Sequence, residues 1–220
     1  MHLDWSEPTQ RTSLLILAGG RASRLGGVRK ALLQVGKKPI LERIIDQLGP
    51  LASERLALVH DSDLPPVEGL ELAVDAREYA GPMPALANGL PAASGDVCLL
   101  VAGDMPFVSR AVFSEMLRIQ ATEHAAVVVP FVDGHMESMH AVFERTTLLA
   151  AIEAAQQHGE ERLFKVFESL QARLVSEHEL RAIDPELHTL FNVNSPEDLE
   201  RAEQIAALDQ PIPTTRSTPE

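Results

Sequence analysis

Cysteine is almost missing from this chain. A single residue, Cys98, in 220 excludes an internal disulfide and fits a reducing compartment. Aromatic residues make up only 4%, which leaves little material for the stacking platforms that hold single-stranded nucleic acid. No apolar run approaches the roughly 20 residues of a membrane span. The polar start, Met1 to Gln10, is unlike a signal peptide. Positive charge is also scarce. A formal net charge of −13 argues against a duplex nucleic-acid partner, whose phosphates dominate such affinity. These shortages predict a cytoplasmic protein that engages neither nucleic acid nor membrane.

The charge that is present is unevenly placed. Residues 1–43 carry eight Lys or Arg against three Asp or Glu, a local balance of +5, which leaves −18 for the rest. A basic first segment on an acidic body suits a small anionic substrate. The length suits one domain, with a hydrophobic content of 45% to build its core. The expected organisation is an N-terminal extension over 1–12, a single domain over 13–208, and a disordered tail over 209–220 rich in Pro, Thr and Ser.

The most informative stretch runs from Leu14 to Lys30. It opens with an apolar run, Leu14 to Ala18, of the length of one buried strand. Paired glycines follow, Gly19-Gly20 and Gly26-Gly27, interleaved with Arg21, Arg24, Arg29 and Lys30. A glycine turn after a strand lets backbone N–H groups approach an anion, and cations add charge-assisted bonds to a polyphosphate. The spacing is neither that of a P-loop nor that of a dinucleotide fingerprint. The loop therefore reads as a triphosphate cradle of another kind, the alternative being a basic surface loop.

Further along, helices are expected over 39–48, 81–90, 147–157 and 161–170. One more is capped by Ser109, and a last one starts at Ser195-Pro196 with Asp198 closing a capping box. Strands are expected over 56–59, 70–74, 97–101, 126–130, 139–143 and 190–193. The alternation predicts a three-layer α/β/α sandwich with a mostly parallel, Rossmann-like sheet. Ligands in such sheets bind outside the carboxyl ends of strands. The loop at Gly19, the segment after Val74 and Asp104 all follow strand ends and can share one crevice.

Asp104, in Gly103-Asp104-Met105-Pro106, has the position and chemistry of a Mg²⁺ ligand, though an Asp ending a strand in a turn is equally common. Asn192 and Asn194 flank Val193, so alternation along a strand places both amides on one side. Either they are ligands or they are turn residues before the last helix. Asp75 and His60, at two other strand ends, can accept or donate bonds to a base or ribose, or can be ordinary terminal residues. Glu137, His140, Arg162 and Lys165 are candidates for polar contacts to a second substrate. Cys98 lies within an apolar run and reads as a buried, inert thiol.

The string Leu17-Ala18-Gly19-Gly20-x-x-Ser23-Arg24-Leu25-Gly26-Gly27-Val28-x-Lys30 resembles the signature of the molybdenum cofactor guanylyltransferases. Further blocks match in order across residues 13–205: Asp75, Gly81-Pro82, Gly103-Asp104-Met105-Pro106, Glu137 to Phe143, and Phe191 to Leu199. The chain departs from the pattern at Arg29, where the family usually has Asp, at Pro84-Ala85, where it has Gly, and at Ser138, where it often has Pro. The resemblance implies a nucleotide-diphospho-sugar transferase-like fold and transfer of GMP from GTP to the phosphate of molybdenum-bearing molybdopterin. Related alternatives are cytidylyl transfer to the same cofactor and transfer to a sugar phosphate. A nucleotide-binding regulator is the non-enzymatic one. It further implies that Leu17, Ala18, Gly19 and Gly20 hold the nucleotide, with help from Asp75 and His60. Arg24 and Lys30 would neutralise phosphates, and Asp104 with Asn194 would hold Mg²⁺. Arg162, Lys165, Asn192 and Asn194 would lie towards the pterin. By family, proteins of cofactor insertion and molybdoenzyme maturation are transient partners.

Overall fold

The computed structural model describes residues 11–19, 21–22, 27–60, 64–74 and 81–208. Gly20, Arg24 and Asp75, the extension up to residue 10 and the tail from residue 209 lie outside the described residues. The sheet is built on β1 (Thr12–Leu17), which is buried along almost its whole length. Leu14 and Ile16 point into one apolar layer, while Leu15 and Leu17 join the other. A strand covered on both faces needs a continuous apolar run rather than alternation, and its sequence supplies one.

Around it lie β2 (Glu54–Val59), β3 (Glu71–Val74), β4 (Val97–Ala102), β5 (Val127–Val132), β6 (His135–Met136), β7 (His140–Glu144) and β8 (Arg173–Ser176). The order is β6-β5-β7-β4-β1-β2-β3, with β8 also paired to β5. Strands β4, β1, β2 and β3 run parallel, and β8 is parallel to β5. The pairings of β7 with β4 and β5, and of β6 with β5, are antiparallel. The β5–β6 hairpin turns on Asp133 and Gly134, both at positive φ, as a two-residue Asp-Gly turn demands.

Helices α1 (Ile40–Leu48), α3 (Arg110–Glu123) and α7 (Pro196–Leu208) cover one face, with the short α6 (Glu177–Arg181) contributing Leu180. Helices α2 (Pro82–Gly89), α4 (Arg145–Gln157) and α5 (Leu163–Ser169) cover the other. The amphipathic stripe of α1 buries Ile40, Leu41, Ile44 and Leu48, each contributing about 1.5–3 kcal/mol when fully removed from water. Ser109 caps α3 by accepting the Val112 N–H. At α7 the capping box forms as its sequence predicts: Asp198 N–H donates to Ser195 Oγ (3.2 Å) and Ser195 N–H to Asp198 Oδ2 (2.9 Å).

Three expectations need correction. Pro39 precedes α1 as its cap instead of opening it. Residues 190–193 are not a strand: a 3-10 turn covers His188–Leu190 and an irregular segment follows. The Val193 N–H goes to the Asp104 carbonyl (2.9 Å), so the segment crosses the end of the sheet instead of adding to its ladder. The short strand β8, which the sequence reading passed over, pairs with β5 instead. No helix among the described residues is long and apolar enough to cross a membrane.

Candidate active site

The register of the sheet sets the site. Leu17 of β1 is level with Leu58 of β2 and Ala102 of β4, so three strands end together. The zipping continues one residue further, with Ala18 N–H donating to the Leu58 carbonyl (3.1 Å) and Gly103 N–H to the Leu17 carbonyl (3.0 Å). Gly103 has no substitute here. A Cβ on it would stand 2.9 Å from the Leu17 oxygen, 3.1 Å from Ala31 Cβ and 3.3 Å from Ala18 Cα. That close approach delivers Asp104 to the rim of the crevice.

Lys30 arrives from the other side. A two-residue ribbon pairs Arg21–Ala22 with Val28–Arg29, and a 3-10 turn, Lys30–Leu32, follows. Ala31 is buried beneath this turn and anchors it. Lys30 Nζ donates to Asp104 Oδ2 at 2.9 Å and also to Asn194 Oδ1. Asn194 is brought there by the Val193–Asp104 backbone bond. Three side chains from three distant parts of the chain thus converge. The pair is partly buried, with side-chain exposures of 20% for Lys30 and 17% for Asp104. The second carboxylate oxygen, Asp104 Oδ1, is buried and accepts no hydrogen bond.

Two cavities meet at these strand ends. A small one of about 50 Å³ lies between Leu17, Ala18, Lys30, Ala31, Ala102, Gly103 and Asp104. A larger one of about 260 Å³ is lined by Leu17, Gly19, Leu58, Gly81, Pro82, Ala85, Ala102 and Met139. The larger is mostly apolar and has Gly19 and Gly81 in its lining, which suits a planar heterocycle. The smaller, with its cation and carboxylate, suits phosphate chemistry. Gly81 sits at φ 123°, a backbone region that favours glycine, and lets the chain turn into Pro82 and α2 at the cavity wall. A third cavity of about 390 Å³, between Lys38, Arg43, Phe107 and His188, shares no lining residue with these two.

Of the residues expected at a site, Leu17, Ala18, Gly19, Lys30, Asp104 and Asn194 come together. His60 lies one residue past β2 on the same edge and is half-buried. Asn192 turns back, its amide donating to the Leu190 carbonyl (3.0 Å), so the two Asn amides do not share one side of a strand. Arg162 and Lys165 pair with Glu160 and Glu168 and lie over the ring of Phe164. No described contact joins them to Lys30 or Asp104. His140 is core: fully buried, its ring centroid is 4.2 Å from that of Phe113, and burial pushes its pKa down to about 3. Burial also raises the Glu137 carboxyl. The Cys98 thiol, buried in β4, is pushed up to about 12 by desolvation, in keeping with an inert thiol. Arg29 is buried at 6% exposure beside an exposed Val28. The cavity wall residues Leu58, Ala85 and Met139 carry no chemical signature, so sequence reasoning missed them. Gly81-Pro82 and the block Glu137 to Phe143 are matched there as motif, not as cavity wall.

Residues 14–176 match the family described as the MobA-like NTP transferase domain. The chain belongs to this family. As a MobA-like NTP transferase it is a nucleotidyltransferase. A probable molybdenum cofactor guanylyltransferase of Methanosarcina mazei is 34% identical over 86% of this chain and 88% of its own length. Its counterpart in Methanosarcina acetivorans is 34% identical over 87% of this chain and 90% of its own. The crystal structure of molybdopterin-guanine dinucleotide biosynthesis protein A from Archaeoglobus fulgidus shares the fold. It superposes with a TM-score of 0.75, covering 89% of this chain and 99% of that one, at 23% identity.

Proposed function

We propose that this protein transfers GMP from GTP to the terminal phosphate of molybdenum-bearing molybdopterin, giving the guanine dinucleotide form of the cofactor and pyrophosphate. The observation that carries the reading is the convergence of Lys30, Asp104 and Asn194 beside an apolar cavity of about 260 Å³. The curated relatives, at 34% identity over most of both chains, supply the substrate class.

The donor set fits Mg²⁺. Asp104 offers a carboxylate oxygen, Oδ2, and Asn194 an amide oxygen, and Lys30 Nζ meets both. Among the described residues no cluster of three or more His, Cys, Asp or Glu exists to hold an ion by itself. Magnesium takes one or two protein carboxylates and completes its shell with substrate phosphates and water. The chemistry supplied by the bound ion is charge neutralisation across the triphosphate.

The chain's own residues do the rest. Leu17, Ala18 and Gly19 form the strand-end surface that would face the nucleotide, the Ala18 N–H being held by the Leu58 carbonyl. By motif, Gly20, His60 and Asp75 are assigned to the nucleotide as well. Lys30 and Arg24 balance charge on the phosphates and on the departing pyrophosphate. The acceptor phosphate oxygen attacks the α-phosphorus, and the bond from that phosphorus to the β-phosphate bridging oxygen breaks. The nucleophile is already an anion, so no side chain needs to remove a proton, and catalysis reduces to positioning and electrostatics. Arg162, Lys165 and Asn192 are assigned to the pterin by resemblance alone; here they pair with Glu160, Glu168 and the Leu190 carbonyl. The setting is the cytoplasm, with cofactor-insertion and molybdoenzyme-maturation proteins as transient partners.

The test is pyrophosphate release from purified protein supplied with molybdopterin, Mg²⁺ and GTP or CTP. GTP-dependent release, falling about 100-fold or more in Asp104→Asn, is expected. Release with CTP alone would make it a cytidylyltransferase, and none with any nucleotide would remove the enzymatic reading.

A further inference from the structure

We infer that Lys30 is an internal competitor for the metal site, so that the divalent cation is taken up together with the triphosphate and not before it. The inference rests on the Mg²⁺ reading given above and deepens it. Asp104 has two oxygens, and Oδ1 is buried. A cation entering from the crevice therefore meets Oδ2, the oxygen that already accepts from Lys30 Nζ at 2.9 Å. The same ammonium holds Asn194 Oδ1, the other oxygen assigned to the ion. A divalent ion held by these two oxygens would have to take the place that the ammonium, bridging the same two, already fills. Two cations cannot share it.

What can move is also defined. The Asp104 backbone is pinned by the Val193 N–H, and Gly103 is wedged against Leu17 and Ala18. The Lys30 backbone is pinned by the buried Ala31 and by the Leu33 N–H donating to the Lys30 carbonyl at 3.0 Å. With both backbones held, the four-carbon stem of Lys30 can swing the ammonium away. An arriving triphosphate gives the ammonium a new set of anionic acceptors and exposes Asp104 Oδ2 and Asn194 Oδ1 at the moment the ion is needed. Nucleotide and metal then promote each other's binding by the same factor. Lys30 acts in this as a positioning residue whose departure creates the site.

The experiment is a titration of the nucleotide-free protein with Mn²⁺, followed by the paramagnetic resonance of the free ion. Wild-type protein is expected to bind weakly. Lys30→Met, which keeps the stem and removes the charge, is expected to bind at least tenfold more tightly. Lys30→Gln is expected to do the same, and thermal melts establish that each variant is folded. The gain is expected to vanish when Asp104→Asn is added to Lys30→Met. Wild-type affinity in both single variants, or a gain that survives Asp104→Asn, would overturn the inference. No nucleotide or acceptor enters the titration. A protein that shows the Mn²⁺ gain yet releases no pyrophosphate therefore refutes the enzymatic reading while leaving the Lys30 competition in place.

Discussion

Lowering the pH from 7.5 to 5 should expose the energetic role of His140. Its ring is fully buried against Phe113, neither ring nitrogen has a hydrogen-bond partner, and burial depresses its pKa from 6.5 to about 3. In the unfolded chain the imidazole takes up a proton near pH 6.5, whereas in the folded chain it does so only near pH 3. Between those values the unfolded state binds more protons, so stability rises with pH and is lost as pH falls. The contribution is fully present above pH 6.5 and declines by about 1.4 kcal/mol per unit below it. At pH 5 the loss from this group is about 2 kcal/mol. Urea unfolding of wild type and His140→Leu at both pH values isolates it, because other titrating groups cancel in the difference. The wild type should lose about 2 kcal/mol more than the variant. The substitution removes two unsatisfied nitrogens at similar volume, so at pH 7.5 its cost should stay below about 1.5 kcal/mol. Parallel pH profiles for the two proteins would refute the reasoning.

Two more outcomes follow from the packing. Gly103→Ala forces a methyl to 2.9 Å from the Leu17 carbonyl and should cost about 1–3 kcal/mol in denaturant unfolding. Because it pries β4 from the Leu17–Ala18 rim, nucleotide affinity should fall with it; unchanged affinity would separate the rim from the nucleotide site. Cys98, buried and with its thiol pushed up to about 12, should resist aromatic disulfide reagents in native protein and react fully in denaturant. Rapid native labelling at neutral pH would show that β4 opens locally.

Much of the fold was legible because its signals are local. The apolar runs of β1 and β4, the stripe of α1 and the caps of α3 and α7 each depend on neighbours in sequence, and each formed close to where the pattern put it. The run at residues 190–193 misled because its pattern suits a strand, while the bond that decides its shape comes from Asp104, far away in the chain. Strand β8 escaped notice because Arg173–Ser176 owes its extended form to pairing with β5 and little to its own composition. His140, which looked like a polar contact, is core because the parity of β7 turns it under α3.

The site divides in the same way. The sequence by itself singled out the groups proposed to carry chemistry: a glycine-rich turn after a buried strand, Lys30, Asp104 and Asn194, with the motif that names the family. Their identities follow from what anions and hard cations require, which is a property of residue types. Tertiary structure alone decided that Lys30 lies on Asp104 Oδ2 and Asn194 Oδ1, that Asp104 Oδ1 is sealed, and that Leu58, Ala85 and Met139 wall an apolar cavity. The reason is physical. Groups 74 and 164 residues apart meet only because parallel strands end in register and a glycine lets them touch, and no local pattern encodes a distance between side chains.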